Sequence, residues 1–419
     1  MENDIVTMGV RHGWGEELPF GLGQAERLQH VYLIGQTGTG KSTLMHNMIL
    51  QDIEAGRGVG LIDPHGDLAK DILEHIPPNR TGDVVYFDPL DRHPPAINLF
   101  RATSDNWHLV SSGIVSSFKK IWGNSWGPRL EYILFAALSA LIQCDNTSLL
   151  GLSRMLHDAR YRAWVVRQVK DPMIRFFWER EFEQYDRAFR QEVVSPIQNK
   201  VGQFFLAPSL RHVLGQVGTR INFRFMMDHK RIFIANLGKG RLGEAHSSLL
   251  GSLLTTGFEL AALSRADMAA EERQPFFLYV DEFQNCATDS FSSILSEARK
   301  YGLSLTLAHQ YLGQLNEQIR NAVFGNVGTF ITFRVSEADA VGLARQFGGN
   351  LVDAHFTGLD NFELCARLLN NEAFLGRSLP PLSTNRRRGD IIKKNSRLRY
   401  GVKKKVIEER IERWLKRGH

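Results

Sequence analysis

The sequence of 419 residues contains few cysteines, and the three that are present lie far apart (Cys144, Cys286 and Cys365). Their positions match neither a disulfide framework nor the paired spacing of a structural zinc site. This excludes a disulfide scaffold and fits a reducing compartment. The first residues lack a positively charged lead followed by an apolar core, so we expect no signal peptide.

Long hydrophobic runs are also scarce. The stretch "YILFAALSALI" at 132–142 is far shorter than the ~20 residues that a bilayer requires. The stretch at 247–264 contains Glu259 and several hydroxyl residues, which suits a buried helix better. We therefore expect no stable membrane insertion and a cytoplasmic location, with peripheral contact to a membrane left open.

The net charge of +6 is unevenly distributed. Residues 381–419 carry 14 Lys and Arg but 4 Asp and Glu, so this tail has a charge of +10 and the rest of the chain −4. Within the tail, "VKKKVIEERIERWLK" places Ile407, Ile411, Trp414 and Leu415 on one helical face. The tail can bind DNA, an acidic membrane or a partner subunit, or it can be a disordered, solvated arm.

Apolar, strand-forming runs recur along the chain and alternate in places with helical periodicity, as at 42–55 and 290–300. Such alternation predicts an α/β fold with a mostly parallel sheet between two helical layers. The runs lie at 31–35, 58–63, 84–88, 231–237, 276–281, 303–308 and 329–333.

The alternation stops between about Ser104 and Arg220, where segments rich in Leu, Arg and aromatic residues favour helices. We interpret 104–220 as an all-helical domain inserted into a core formed by 1–103 and 221–380, followed by the basic tail 381–419. The first thirty residues have room for a hairpin or a docking arm.

The stretch "LIGQTGTGKSTL" at 33–44 follows an apolar strand and opens a helix. Its spacing matches the phosphate-binding P-loop, in which backbone N–H groups surround phosphate oxygens, a lysine reaches the β- and γ-phosphates and a hydroxyl ligates Mg²⁺. We therefore predict binding of ATP and Mg²⁺. The predicted contacts come from Gly35, Thr37, Gly38, Thr39, Gly40, Lys41, Ser42 and Thr43, with Ser42 as a metal ligand.

The stretch "PFFLYVDEFQN" at 275–285 supplies the second half of such a site. An apolar strand ends in Asp281, a predicted Mg²⁺ ligand, and Glu282, a predicted general base for the attacking water. Helix, Gly302 and strand then lead to Gln310. Because parallel strands end at one edge of a sheet, Gln310 is expected beside Asp281, where it can sense the γ-phosphate.

Together, "GQTGTGKST", "LIDPHGD", "FFLYVDEFQN" and "EARKYGLSLTLAHQ" resemble the HerA/FtsK superfamily of P-loop motors, and most of all the conjugative type IV coupling proteins of the TraG/TraD class. "FDPLDRHPPAINLF" at 87–100 resembles the segment before that family's helical insertion. The resemblance spans roughly residues 25–380 and implies a RecA-like core. We expect no counterpart of the coupling proteins' N-terminal transmembrane segment.

The resemblance further implies a ring, expected to be a homohexamer, that hydrolyses ATP between subunits and moves DNA through a central pore. Relaxase or secretion-channel proteins are the implied partners. It also implies an arginine that reaches the neighbouring subunit's γ-phosphate, for which Arg299 is the candidate and Lys300 and Arg320 are the reserves. The strandedness of the DNA stays open.

Two further motifs have alternative interpretations. In "LIDPHGD", Asp63 and His65 either contact metal-bound water or cap a turn. In "NLGKGRLGEAH" at 236–246, Lys239 and Arg241 either contact DNA phosphates or belong to an ordinary polar loop.

Two alternative functions follow from the sequence. A regulatory GTPase would need an N-K-x-D segment after a strand, and the one "NK" lies at 199–200 inside the helical insertion. An ATP-dependent adaptor would instead recruit protein cargo through that insertion.

Overall fold

The chain forms two compact units. A computed structural model describes residues 5–12, 16–101, 106–289, 291–348, 351–369, 371–382 and 386–416. The sheet unit comprises Met1–Tyr86, Phe223–Gly238 and Ala261–Asn395, and the helical unit comprises Phe87–Asn222, Lys239–Leu260 and Ser396–His419. The helical unit therefore includes two segments besides the expected insertion, and the 381–419 segment is divided between the units.

One eleven-stranded sheet organises the sheet unit, with the strand order β2-β1-β11-β10-β9-β3-β8-β7-β4-β6-β5. The strands are β1 (Ile5–His12), β2 (Glu17–Gly23), β3 (Val31–Ile34), β4 (Gly58–Asp63), β5 (Val84–Phe87), β6 (Ile232–Asn236), β7 (Phe276–Val280), β8 (Leu303–His309), β9 (Thr329–Thr332), β10 (Glu363–Leu368) and β11 (Phe374–Ser378).

The helices account for most of the remaining described structure. In chain order they are α1 (Gln24–Arg27), α2 (Lys41–Glu54), α3 (Asp67–His75), α4 (Trp107–Trp122), α5 (Pro128–Ile142), α6 (Gly151–His157), α7 (Ala159–Val166), α8 (Pro172–Phe176), α9 (Phe182–Gln184), α10 (Arg187–Ile197), α11 (Gln203–Leu206), α12 (Pro208–Leu214), α13 (Phe223–Asp228), α14 (Lys239–Leu242), α15 (Glu244–Leu263), α16 (Phe291–Glu297), α17 (Glu317–Asn326), α18 (Glu337–Phe347), α19 (Asp353–Thr357), α20 (Gly389–Tyr400) and α21 (Lys404–Lys416).

The centre of the sheet is parallel: β9, β3, β8, β7, β4 and β6 run in one direction. Every residue of these six strands is buried, as expected when helices cover both faces of a sheet. This explains the continuous apolar runs in the sequence. The predicted α/β fold with a mostly parallel sheet is confirmed, and all seven expected runs form strands.

Beyond β9 the sheet continues with antiparallel strands, for which the sequence suggested at most a hairpin in the first thirty residues. There β9 pairs with β10, β10 with β11, β11 with β1, and β1 with β2. The hairpin of β1 and β2 fills the N-terminal segment for which a hairpin or an arm was expected.

A buried ionic network joins the helix that follows the P-loop to the strand that ends in the two acids. Asp52, near the end of α2, accepts hydrogen bonds from Arg27 at 2.6 and 2.8 Å and from Arg57 at 2.9 Å. The hydroxyl of Tyr279, on β7, donates to the same carboxylate at 2.6 Å. A shift of α2 along β7 would break these bonds and leave a buried charge unpaired, which is costly. The network therefore holds α2 in a fixed register against β7.

The described residues of the helical unit between 106 and 222 form helices and no strand. The indole N–H of Trp178 donates to the Ala136 carbonyl at 3.1 Å, and the Ser139 hydroxyl donates to Ser111 at 3.0 Å, which ties α4 to α5. The "NK" at 199–200 lies in a π-helical turn, Gln198–Gly202, and follows no strand. Among the described residues, no helix is long and apolar enough to cross a membrane.

Candidate active site

Three neighbouring parallel strands bring the candidate residues to one edge of the sheet. Ile34 at the end of β3 lies beside His309 at the end of β8, and Val280 of β7 lies beside Leu307. The segments that begin with Gly35, Gln310 and Asp281 therefore leave the sheet side by side.

The P-loop requires glycine for two different reasons. Gly38 has φ of 81° in the left-handed region, and among the described residues other than its two chain neighbours no atom lies within 4 Å of the place where a Cβ would project. Gly40 has φ of 126°, and a Cβ there would lie 2.9 Å from the Phe333 ring and 3.1 Å from the Phe362 ring. Gly38 thus permits the turn, whereas Gly40 also permits close packing behind it. The Thr39 hydroxyl donates to the Gln36 carbonyl at 2.8 Å and fixes the curl of the loop.

Lys41 begins α2 and folds back over the loop. Its ammonium group donates to the carbonyl oxygens of Gly35 at 2.6 Å and Gln36 at 2.9 Å. Burial lowers the pKa of Lys41, although the charges of Asp281 and Glu282 act in the opposite direction. The ammonium group is thus held at the edge that faces both acids.

The other loop residues divide by exposure. Thr37, Gly38 and Ser42 are exposed, and Thr43 is half-buried. The exposed side chains surround the start of α2, where the first backbone N–H groups have no partner within the helix and favour an anion.

Asp281 and Glu282 follow β7 and are both buried, with exposures of 7% and 6%. The Asp281 N–H donates to the Ile62 carbonyl at 3.1 Å, which continues the parallel pairing. Glu282 has φ of 45° and ψ of 48°, a left-handed conformation that costs a non-glycine residue about 1–3 kcal/mol. The strain sits at the turn that presents the glutamate.

Two amide side chains hold the Glu282 carboxylate. Gln310 donates to Oε1 at 2.7 Å and Gln284 donates to Oε2 at 2.6 Å. His65, whose side chain is 43% exposed, lies 3.8 Å from Oε1. Gln310 therefore bonds directly to the predicted base and is placed to couple it to changes at the end of β8.

The two adjacent acids have opposite pKa shifts. Burial would raise the pKa of Glu282, but the hydrogen bonds from Gln310 and Gln284, together with the charge interactions with His65 and Lys41, outweigh it and lower that pKa. Burial, with the nearby charges of Asp63 and Glu282, raises the pKa of Asp281 to about 6. Glu282 is thus stabilised as a carboxylate, the form that a general base needs.

Asp63 caps the turn after β4. Its fully buried carboxylate accepts hydrogen bonds from the backbone N–H groups of His65 at 2.8 Å and Ala69 at 2.9 Å. Both oxygens are therefore engaged by the backbone, so the structure favours the turn-capping alternative for Asp63. His65 extends from that turn towards Glu282.

Arg299 lies at the opposite edge of the sheet. It is exposed in the 3₁₀ turn Ala298–Tyr301, just before the first residue of β8. Seven extended residues of β8 separate it from Gln310, about 23 Å at the usual rise per residue. Within one chain Arg299 therefore cannot reach the P-loop. Of the reserves, Lys300 is exposed in the same turn and Arg320 is half-buried on α17.

The segment that contains Lys239 and Arg241, considered above as a polar loop, is instead the one-turn helix α14. Arg241 is exposed and Lys239 is half-buried. Their contact with DNA stays a prediction.

The described part of the tail is folded, which excludes the disordered-arm alternative for residues 386–416. On α21, Ile407 and Ile411 are buried. Glu408 pairs with Arg211 at 3.0 Å and with His212, while the Trp414 carbonyl accepts from Arg154 at 3.0 Å. An amphipathic helix was expected here; α21 buries two of the four apolar residues of the expected face, whereas Leu415 is 60% exposed.

Sequence reasoning missed the residues whose roles depend on distant contacts. Gln284 lies in the quoted motif, yet only the turn at Glu282 brings its amide onto the carboxylate. Phe333 and Phe362 lie about three hundred residues from Gly40, so no local pattern marks them as the surface behind the P-loop.

Two family models match the sequence. Residues 18–171 match the type IV secretion-system coupling protein DNA-binding domain, and residues 275–354 match the TraM recognition site of TraD and TraG. Together they cover more than half of the chain. These matches support a coupling-protein-like P-loop ATPase.

Solved structures share the fold of this coupling-protein-like ATPase at low identity. The bacterial conjugative coupling protein TrwBdeltaN70 superposes with a TM-score of 0.65, 13% identity, and coverage of 88% of each chain. TrwB in complex with ADP and Mg²⁺ superposes with a TM-score of 0.64 and 13% identity, and the match covers 88% of this chain and 90% of TrwB. VirB4 of Thermoanaerobacter pseudethanolicus superposes with a TM-score of 0.59 and 13% identity, and the match covers 89% of this chain and 96% of VirB4. No curated protein sequence gives a significant match.

Proposed function

We propose that the chain is an ATP-driven DNA translocase of a conjugative or type IV secretion system, working as a homohexameric ring. The observation that carries the hydrolytic part is the Glu282 carboxylate, which accepts hydrogen bonds from two amides and, with Asp281, interacts electrostatically with Lys41. TrwB, which shares the fold, has been solved with ADP and Mg²⁺ and with ATP and GTP analogues.

The residues present suit a nucleoside triphosphate with Mg²⁺. Open space over Gly38 and the exposed start of α2 provide a cradle for phosphate oxygens. The Ser42 hydroxyl and the Asp281 carboxylate are oxygen donors of the kind that Mg²⁺ prefers. The ion, when bound, neutralises phosphate charge and thereby favours phosphoryl transfer.

The chain's own side chains then have separate tasks. Lys41 exchanges its bonds to the loop carbonyls for bonds to phosphate oxygens. Glu282 orients a water molecule and accepts its proton, while Gln310 and Gln284 keep the carboxylate in position. Arg299, remote from its own P-loop, acts on the nucleotide of a neighbouring subunit.

Coupling to DNA rests on less direct support. The family model that matches residues 18–171 is described as a DNA-binding domain. Lys239 and Arg241, on α14, are the proposed phosphate contacts, and relaxase or secretion-channel proteins are the proposed protein partners.

A specific observation also favours the second candidate, an ATP-dependent adaptor for protein cargo. Residues 275–354 match a model described as a protein recognition site, that for TraM. In this alternative, hydrolysis responds to protein rather than DNA.

The test is the steady-state ATPase rate of the full chain without DNA, with single-stranded DNA and with double-stranded DNA. Lys41→Ala serves as the blank for contaminating hydrolysis. We expect at least one DNA form to raise the wild-type rate. A wild-type rate indifferent to both forms would reject the translocase in favour of the adaptor, and a rate no higher than that of Lys41→Ala would reject both.

A further inference from the structure

A cluster of two histidines and an aspartate lies in the sheet unit, away from the residues assigned above. His46 is on α2, and Asp71 and His75 are one turn apart on α3. Each offers one ligand atom, and these atoms all lie within 4.8 Å of one another. His46 and His75 are 4% and 7% exposed, whereas the Asp71 side chain is 56% exposed.

The protonation of His46 follows from its neighbour Asn47. The Asn47 amide nitrogen donates to the carbonyls of Leu379 and Pro380, at 3.3 and 2.9 Å, and its oxygen accepts from the Leu382 N–H at 3.0 Å. These three bonds fix which end of the amide is oxygen. That oxygen lies 3.2 Å from Nδ1 of His46, so Nδ1 carries the hydrogen and Nε2 carries the lone pair.

Nε2 of His46 faces the Asp71 carboxylate at 3.0 Å without the geometry of a hydrogen bond, and it has no hydrogen-bond partner among the residues that the structure describes. A buried lone pair directed at a carboxylate is unfavourable unless a cation lies between the two.

His75 adopts a tautomer suited to the same ion. Its Nδ1–H donates to the Asp71 carbonyl at 2.8 Å, which leaves the lone pair on Nε2. Metal-binding histidines usually donate their second ring N–H to a backbone carbonyl or carboxylate in this way. The centroids of the His46 and His75 rings are 5.1 Å apart, and the two ring planes are nearly perpendicular, at 89°.

We propose that His46, Asp71 and His75 form a binding site for a divalent transition-metal ion of the zinc class, with a solvent molecule as the fourth ligand. Two imidazoles and one carboxylate suit tetrahedral Zn²⁺, whose ligand atoms lie about 2.0–2.2 Å from the ion. Mg²⁺ prefers oxygen ligands, so this site is chemically distinct from the one at Ser42 and Asp281.

The ion would join the two helices that start at the nucleotide edge. Helix α2 begins at Lys41 and α3 begins at Asp67, immediately after the turn that carries His65. A metal bound by both helices stabilises the folded chain, because the separated ligands of the unfolded chain bind it more weakly.

The test uses the full-length protein without an affinity tag, stripped of metal and titrated with Zn²⁺ against a chromogenic chelator in excess Mg²⁺. We expect one Zn²⁺ to bind tightly per chain. Asp71→Asn and His75→Gln remove direct ligands, so each should weaken binding by more than the roughly 10- to 100-fold that loss of an outer-shell partner costs. Zn²⁺ should raise the Tm of the wild type and not that of Asp71→Asn.

The matched control is His246→Gln. His246 is half-buried and also bonds through Nδ1 to the carbonyl four residues earlier, at 2.9 Å, but it lies outside the cluster. The His246→Gln variant should bind Zn²⁺ with the same affinity as the wild type. Because Asp71 is largely exposed, Asp71→Asn decides the matter even where a histidine variant fails to fold. Equal Zn²⁺ affinity in the wild type and Asp71→Asn would overturn the proposal.

Discussion

The two units of the molecule use charged side chains in opposite ways. The sheet unit buries them: Lys41, Asp63, Asp281 and Glu282 are each at most 7% exposed, and backbone groups and amides constrain them. The helical unit keeps many of its charges in partly exposed ion pairs, such as Arg190 with Glu183. Buried charges respond strongly to small changes in geometry, whereas exposed pairs contribute about 0–1 kcal/mol.

From this difference we expect the buried charges of the sheet unit to serve ATP hydrolysis and the exposed charges of the helical unit to serve partner binding. Changes at the charged edge of the sheet unit should abolish turnover, while changes among the exposed charges of the helical unit should alter affinity for a partner and leave basal turnover unchanged. The following predictions test that separation, from the largest expected effect to the smallest.

Arg299 is exposed but lies in the sheet unit. It therefore gives the most severe test of the expectation that changes to exposed charges leave turnover unchanged. Arg299→Ala should reduce turnover by on the order of 10³-fold, the effect of removing an arginine finger. Mixing Arg299→Ala with Lys41→Ala subunits should restore part of the activity, because some interfaces then combine an intact arginine with an intact P-loop.

Lys300→Ala, in the same exposed turn, is the control and should keep most of its turnover. Absence of rescue in mixtures shown to co-assemble would contradict action between subunits and move attention to Lys300 or Arg320.

Glu282→Gln should reduce turnover by on the order of 10²- to 10³-fold while nucleotide binding persists, because water activation is lost but Lys41 and Asp281 remain. Single-turnover rates and equilibrium nucleotide binding measure the two effects. Lys41→Ala should weaken binding as well. Glu297→Gln, an exposed acid on α16, is the control. Wild-type turnover in Glu282→Gln would remove the general base from this edge.

The place of the candidate active site could be predicted from the sequence because its residues lie at fixed distances along short segments. The P-loop glycines and the paired acids are local patterns, and the central strands are continuous apolar runs because both of their faces are buried. The antiparallel strands could not be predicted in the same way. β2 contains Pro19 and begins with three exposed residues, and β11 alternates partly exposed with buried positions, so neither forms an apolar run.

Other features depend on contacts that no local pattern contains. The hydrogen bond from Gln310 to Glu282 spans 28 residues, and the tail's Glu408 bonds with Arg211 across 197 residues. The composition of the tail suggested DNA, a membrane or a partner, but it did not show that α21 would pack on helices of its own chain.

Burial of Asp281 should cost stability. Its pKa is about 6 in the folded chain against 3.8 ordinarily, so the folded state holds its proton more tightly. Stability is therefore lost as pH rises from about 4 to 6, and the full cost, on the order of 2 to 3 kcal/mol, applies above that range. Without nucleotide and Mg²⁺, Asp281→Asn should raise the Tm at pH 7.5 and lose this advantage near pH 4.

The control is Asp67→Asn, whose side chain is 87% exposed and whose substitution should leave the Tm nearly unchanged. Equal Tm values for Asp281→Asn and wild type at pH 7.5 would show that the buried carboxylate is stabilised by more than the contacts described here.

The smallest effect on turnover should come from the basic tail. Because α21 buries Ile407 and Ile411, removing the tail would damage the helical unit, and neutralising exposed cations is the cleaner change. A variant with Lys403→Gln, Lys405→Gln and Arg410→Gln should keep its basal ATPase. Each phosphate contact contributes about 0.7 to 0.9 to the slope of log K against log salt, so the triple variant should flatten that slope by about 2 to 3 if all three contact DNA.

Lys239→Ala with Arg241→Ala is the matched comparison on α14. This double variant should flatten the slope of log K against log salt by less than about 2. If α14 contacts the DNA, the variant should also lose the stimulation of turnover by DNA. The measurement is DNA binding across a salt titration for the wild type and both variants. An unchanged slope in both variants, with DNA still bound, would place the phosphate contacts elsewhere and break the assignment of binding to these exposed charges.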